Sequence, residues 1–114
     1  MDKLITFFKV CSDETRFKIL MALYQQSFCV CELCELLDES QPKVSKHLSK
    51  MKDLGLVKTL RKDKYIYYSL SMDEPFSEMV FKAISERGHD YPEIQALMDR
   101  IHSIDKNPLV CKTG

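Results

Sequence analysis

Three cysteines, Cys29, Cys31 and Cys34, fall within six residues, and they are the side chains of this sequence best suited to chemistry. Thiolates are soft ligands, so such a cluster selects As(III), Sb(III), Cd(II), Pb(II) or Zn(II) over Mg(II) or Ca(II). A structural zinc takes four ligands, commonly from paired Cys-x-x-Cys or Cys/His groups. No second pair and no histidine stands near this cluster in sequence. A trivalent arsenic or antimony centre, with a lone pair in the fourth position, is satisfied by three thiolates, so coordination count favours As(III) or Sb(III). The plainer role of a cysteine is that of a small buried hydrophobe. Cys34, beside the apolar stripe Val30–Leu33–Leu37, fits that role. Cys29 and Cys31 flank the stripe on opposite sides, and packing does not explain both. Two further cysteines, Cys11 and Cys111, make the total odd, which speaks against a disulfide framework; both are left as spares.

The elements that hold these cysteines read as a small helical domain. Leu4 to Val10 forms a short apolar helix. Ser12 or Asp13 caps a second helix, with Phe17, Leu20, Leu23 and Tyr24 at helical spacing. The stripe Val30–Leu33–Leu37 continues to a polar turn at Asp38-Glu39-Ser40. A further helix begins at Ser40 or Gln41, with Pro42 in its first turn, where a missing N–H costs nothing. It carries Val44, Leu48, Met51 and Leu54, and Gly55 stops it. Two helices joined by so short a turn make a helix-turn-helix, residues 29–54. Leu56 to Leu60 and Tyr65 to Leu70 then read as a β-hairpin with a charged tip, a wing over residues 56–70. Helices follow from Pro75 to Gly88 and from Asp90 or Pro92 through Ile94, Leu97, Met98 and Ile101, and the tail 107–114 reads as frayed.

Helical geometry constrains the cysteines. At about 100° per residue, Cys31 and Cys34 lie about 60° apart, while Cys29 and Cys31 lie about 200° apart. An intact helix therefore cannot bring all three sulfurs to one ion. Binding must unwind or bend its first turn, unless the helix begins after Cys29.

The formal net charge is zero, which conceals a strong asymmetry. Residues 41–64 hold eight basic and two acidic side chains, a net of +6, and the rest of the chain carries −6. A basic block on an acidic body is the footprint of a surface that meets phosphates. On the helix with Val44 and Leu48, the side away from the core presents Gln41, Lys43, Ser45, Lys46 and Lys50. Gln41, Ser45 and Lys46 are the groove contacts expected, and lysines neutralise phosphate. His47 is a polar support or phosphate contact, and Arg61, Lys62 and Lys64 at the wing tip grip the backbone or enter the minor groove.

With 114 residues, 45% hydrophobic and 30% charged, the chain suits one globular domain, 1–114, with little room for a second domain or a large cleft. No apolar run approaches the length of a membrane span, and no secretory segment is evident, so a cytoplasmic protein is expected. The apolar helices at the two ends, residues 1–10 and 75–104, call for a partner surface, which a C2 homodimer supplies. Such a dimer sets two recognition helices one DNA turn apart, roughly 34–36 Å. An enzyme is disfavoured. Phosphatase-like arsenate reductases need Cys-x5-Arg, whereas Cys11 and Arg16 are separated by four residues with no glycine between them, and no Cys–His pair is evident.

The strings Lys9-Val10-Cys11-Ser12-Asp13-Glu14-Thr15-Arg16, Cys29-Val30-Cys31-Glu32-Leu33-Cys34, Ser40-Gln41-Pro42-Lys43-Val44-Ser45-Lys46-His47-Leu48 and Gly55-Leu56-Val57 resemble the ArsR/SmtB repressors, and their arsenic-responsive members most closely. The resemblance runs from about Lys9 to Leu70. It implies a homodimeric winged helix-turn-helix, mainly α with a β-hairpin wing, that represses its own resistance operon. It implies no cofactor for binding double-stranded operator DNA, and release when As(III) or Sb(III) binds Cys29, Cys31 and Cys34. The alternative within this class is a Cd/Pb/Zn sensor or a thiol-redox-responsive repressor. Two departures stand out: the wing tip usually carries glycine where this chain has Asp63, and Cys11 replaces a plain apolar residue. Some family members bind zinc on their C-terminal helices through Asp-x-His and His-x-x-Glu pairs. His89 and His102 lack that spacing and read as surface residues.

Overall fold

A computed structural model describes residues 2–71 and 75–105. In chain order the elements are α1 (Asp2–Cys11), α2 (Glu14–Gln25), β1 (Phe28–Cys29), α3 (Val30–Leu37), α4 (Gln41–Asp53), β2 (Val57–Lys62), β3 (Tyr65–Leu70), α5 (Pro75–Glu86), a 3-10 turn (Gly88–Asp90) and α6 (Pro92–Asp105). This is a winged helix-turn-helix, mostly helical with a small antiparallel sheet. The expected tail at 107–114, Cys111 included, lies outside the described residues. No described helix is long and apolar enough to cross a membrane.

Local sequence explains the helix boundaries. Asp13, in extended conformation, caps α2 by accepting from the Arg16 amide at 3.0 Å. Ser40 does the same for α4, accepting from the Lys43 amide at 3.4 Å, with Pro42 in the first turn. Such caps contribute about 1 kcal/mol each. The turn between α3 and α4 is made by Asp38 in the left-handed region (φ 53), a conformation Asp and Asn tolerate better than most residues. Gly55 (φ 78) follows Leu54, the cap of α4, and a left-handed residue there ends the helix, as its glycine predicts.

The core forms where α2, α3 and α4 cross. Ile19, Leu20, Met21, Leu33, Leu36, Val44, Leu48 and Met51 are all at most 1% exposed. Leu36, rather than Leu37, completes the inner face of α3, and Leu54, expected among the apolar residues of α4, is 44% exposed. It sits at the cap, where the helical register has already ended.

The wing is larger than a hairpin. β2 and β3 pair from Val57–Leu70 to Lys62–Tyr65, leaving Asp63 and Lys64 as the tip. Asp63 takes φ 59, the geometry for which tight hairpins favour glycine. β1 then adds to the other edge of β3, with Phe28 opposite Tyr68 and Cys29 opposite Tyr67, giving the order β1-β3-β2. Two residues carry no alternating pattern, so the sequence reading missed this strand.

The end helices differ from each other. α6 buries Ile94, Leu97, Ile101 and Ile104 within its own chain, and Arg100 donates from Nη1 to the Leu36 carbonyl at the end of α3 (2.9 Å). α1 and α5 instead leave Ile5, Phe8, Phe76 and Met79 exposed, with Phe8 and Phe76 edge to face at 5.9 Å. Of the end helices, α1 and α5 therefore carry the uncovered apolar residues.

Candidate functional site: a basic face and a cysteine pair

The side chains expected from sequence to meet nucleic acid lie on α4 and the wing. Gln41, Lys43, Lys46 and Lys50 of α4 are exposed, Ser45 and His47 are half-buried, and Arg61, Lys62 and Lys64 are exposed at the end of the hairpin. Val44, Leu48 and Met51 anchor the opposite side of α4 completely, so the polar face is fixed in orientation by the core. Burial holds the His47 imidazole below its ordinary value; Asp13 pulls the other way, and Arg16, Lys43 and Lys46 add to the depression. The ring is half-buried and its neutral form is favoured.

Lys43 is not simply solvated. Its Nζ donates to Glu39 Oε2 at 2.7 Å, and the Thr15 hydroxyl on α2 donates to the same oxygen at 3.2 Å. The Lys43 bond holds the Glu39 carboxyl below its usual range, and Glu39 in turn raises the Lys43 ammonium. Glu39 was not singled out from sequence. An acid four residues ahead of a lysine was the signal available.

The cysteines are arranged differently from the helical wheel. Cys29 is the residue before α3, in extended conformation (φ −87, ψ 170), because its backbone is committed to β1. Its amide donates to Glu32 Oε1 at 3.0 Å, bridging strand and helix. The 200° separation from Cys31 therefore does not apply: the Cys31 sulfur lies 3.3 Å from that of Cys29. With bonds of about 2.3 Å, one soft ion holds two sulfurs roughly 3.3 to 3.8 Å apart for angles between right and tetrahedral, so the spacing suits a shared ligand once Cys29 is a free thiolate. Cys34 sits one turn on, packed against the core edge. Among the described residues no three His, Cys, Asp or Glu side chains form a ready metal site. Cys29 is 3% exposed and disulfide-bonded, which corrects the expectation that an odd cysteine count leaves this thiol free, while Cys11, Cys31 and Cys34 are free. Burial raises the Cys31 and Cys34 thiols above their ordinary value and pushes Cys11 to about 11, so all three are protonated at neutral pH. His89 and His102 are exposed, as expected of surface residues.

Known proteins place this architecture. Residues 13–59 match the family described as bacterial regulatory protein, arsR family. The arsenical resistance operon repressor of Escherichia coli K12 is 42% identical over 72 residues, 62% of either chain. The cadmium resistance transcriptional regulatory protein CadC of Listeria innocua is 41% identical over 63 residues, 54% of this chain and 53% of CadC. The chain thus spans less than two thirds of these two relatives. The HTH-type transcriptional regulator KmtR of Mycobacterium tuberculosis is 32% identical over 90 residues, 79% of this chain and 68% of KmtR. Reduced HlyU from Vibrio cholerae superposes with a TM-score of 0.67 at 27% identity, covering 75% of this chain and 87% of HlyU. A homodimeric winged helix-turn-helix DNA-binding domain from Mycobacterium bovis gives 0.63 at 21% identity, over 81% of this chain and 83% of that one. With helix-turn-helix, wing and family motifs in order, the chain belongs to the arsR family of bacterial transcriptional regulators.

Proposed function

We propose that the chain is a homodimeric repressor that holds operator DNA through α4 and the wing and releases it when As(III) or Sb(III) binds Cys29, Cys31 and Cys34. The observation that carries this reading is the Cys29–Cys31 sulfur pair, 3.3 Å apart at the start of the first helix of the helix-turn-helix. A third thiol, Cys34, waits one turn further along the same helix. Because α3 begins after Cys29, the helical wheel does not itself demand unwinding. Closing three thiolates on one ion draws Cys34 and the β1 edge together across the start of α3, and α3 packs directly on α4, so ligation and DNA-binding geometry compete. That competition is the differential binding of two states that release requires. Ligation requires Cys29 in its reduced form. Two copies joined through the exposed α1 and α5 face would bury Ile5, Phe8, Phe76 and Met79 and present two recognition helices to one face of DNA.

The test is a DNA-release titration of the reduced protein with arsenite, antimonite, Cd(II), Pb(II) and Zn(II), each on wild type, Cys31→Ser and Cys34→Ser. Arsenite and antimonite are expected to dissociate the wild-type complex. Both variants should bind DNA within about twofold of wild type yet need at least tenfold more arsenite. Dissociation by Cd(II) with arsenite inert would select a cadmium-sensing repressor, the reading favoured by the CadC relative. Release by oxidant alone would select the thiol-redox reading.

A further inference from the structure

We propose that Glu39 is a positioning residue that withholds Lys43 from DNA phosphate and so lowers the sequence-independent part of DNA binding. The proposal rests on the reading that α4 faces DNA. Glu39 occupies the turn just before the Ser40 cap, and three elements converge on it. Its amide donates to the Cys34 carbonyl of α3 at 3.2 Å. Its Oε2 accepts from Thr15 of α2 at 3.2 Å and from Lys43 of α4 at 2.7 Å. A glutamate four residues ahead of a lysine is the favourable order of such a pair, and the positive end of a helix adds to it. Thr15 holds the shared oxygen from outside the helix, which distinguishes this carboxylate from a freely rotating surface acid.

Lys43 lies in the first turn of α4, and lysines and helix N-termini are both among the groups that contact phosphate. While the pair stands, Lys43 brings no net charge to the duplex and displaces no counterion. Lys46 and Lys50, with no acidic partner among the described contacts, carry that role. Specificity is the ratio of operator to non-operator affinity, and damping the phosphate contribution shared by both leaves base contacts a larger voice.

The test measures binding of the full chain to non-operator duplex across monovalent salt for wild type, Glu39→Gln, Lys43→Gln and the double variant. Glutamine keeps an acceptor for Thr15 and removes the charge, and a melting curve checks folding of each variant. Freed Lys43 neutralises one more phosphate, so Glu39→Gln should steepen the log–log salt slope by about 0.9 and tighten binding about five- to tenfold at 0.1 M salt. In the Lys43→Gln background the same change should give less than twofold. An unchanged slope overturns the proposal. So does an equal gain with and without Lys43, which would make Glu39 a distant repulsive charge only. Lys46→Gln reports on the underlying reading: it must flatten the slope, and if it does not, α4 is not the DNA face and the proposal falls with it.

Discussion

The two helices of the helix-turn-helix are neighbours built to opposite specifications. α4 is finished: its cap, its proline and its glycine stop all agree, its inner face is fully buried, and its outer side chains already point to solvent. α3 is shorter and less committed, eight residues against thirteen, begun at a strand residue and carrying two half-buried, protonated thiols. The contrast teaches that the surface proposed to meet DNA is preformed, while the proposed thiolate site beside it has still to be assembled. The proposed release mechanism, in which the resting state is bound to DNA, needs that asymmetry.

The sharpest way to probe it is pH. Arsenous acid is neutral near pH 7 and takes up the thiol protons as water, so its apparent affinity should stay flat between pH 6.5 and 8. A divalent cation expels those protons to solution, so its affinity should rise by up to about tenfold per pH unit for each thiol displaced. A steep profile for arsenite would break the picture of protonated thiols on α3. The next test falls on α4. Gly55 has open space around its α-carbon, so Gly55→Ala isolates the cost of φ 78. It should lower stability by about 1 kcal/mol in denaturant unfolding, with DNA affinity unchanged. A loss of DNA binding would mean that α4 is less rigidly set than its core suggests.

The smallest effect concerns His47. Its folded value lies below the unfolded value of roughly 6.5, because burial disfavours the charged ring. The native state therefore binds fewer protons. The stability this contributes is complete above roughly pH 6.5 and is lost as pH falls from there through the folded value. Melting temperatures between pH 8 and 5 should fall less for His47→Gln than for wild type, and equal falls would remove His47 from the supports of α4.

Legibility followed the same division. α4 was readable because each of its signals is local: Ser40, Pro42, Gly55 and the Val44–Leu48–Met51 spacing sit within one segment. Asp63 at the wing tip and Asp13 at the cap of α2 were readable for the same reason. β1 was not, since a two-residue strand owes its existence to Tyr67 and Tyr68 almost forty residues away. That single miss left open whether α3 begins before or after Cys29; the strand settles it at Val30 and brings Cys29 beside Cys31. Glu39 escaped notice because its meaning depends on Thr15, which only the fold brings to it. The burial of α6 was equally hidden: its stripe looks the same from sequence whether its own chain or a partner covers it.

The placement of Cys29 ahead of α3 bears on how the site is best dissected. Cys29 and Glu32 form a reciprocal capping box at the start of this helix, a weak sulfur acceptor facing the Glu32 amide and the Glu32 carboxylate accepting from the Cys29 amide. A serine at that position would delete a sulfur and exchange a weak cap acceptor for a strong one in one stroke, stiffening the entry of α3 by about 1 kcal/mol. Loss of response in such a variant would confuse a missing ligand with a hardened hinge. Alanine separates the two, and the pair of substitutions together measures how much of sensing is chemistry and how much is compliance.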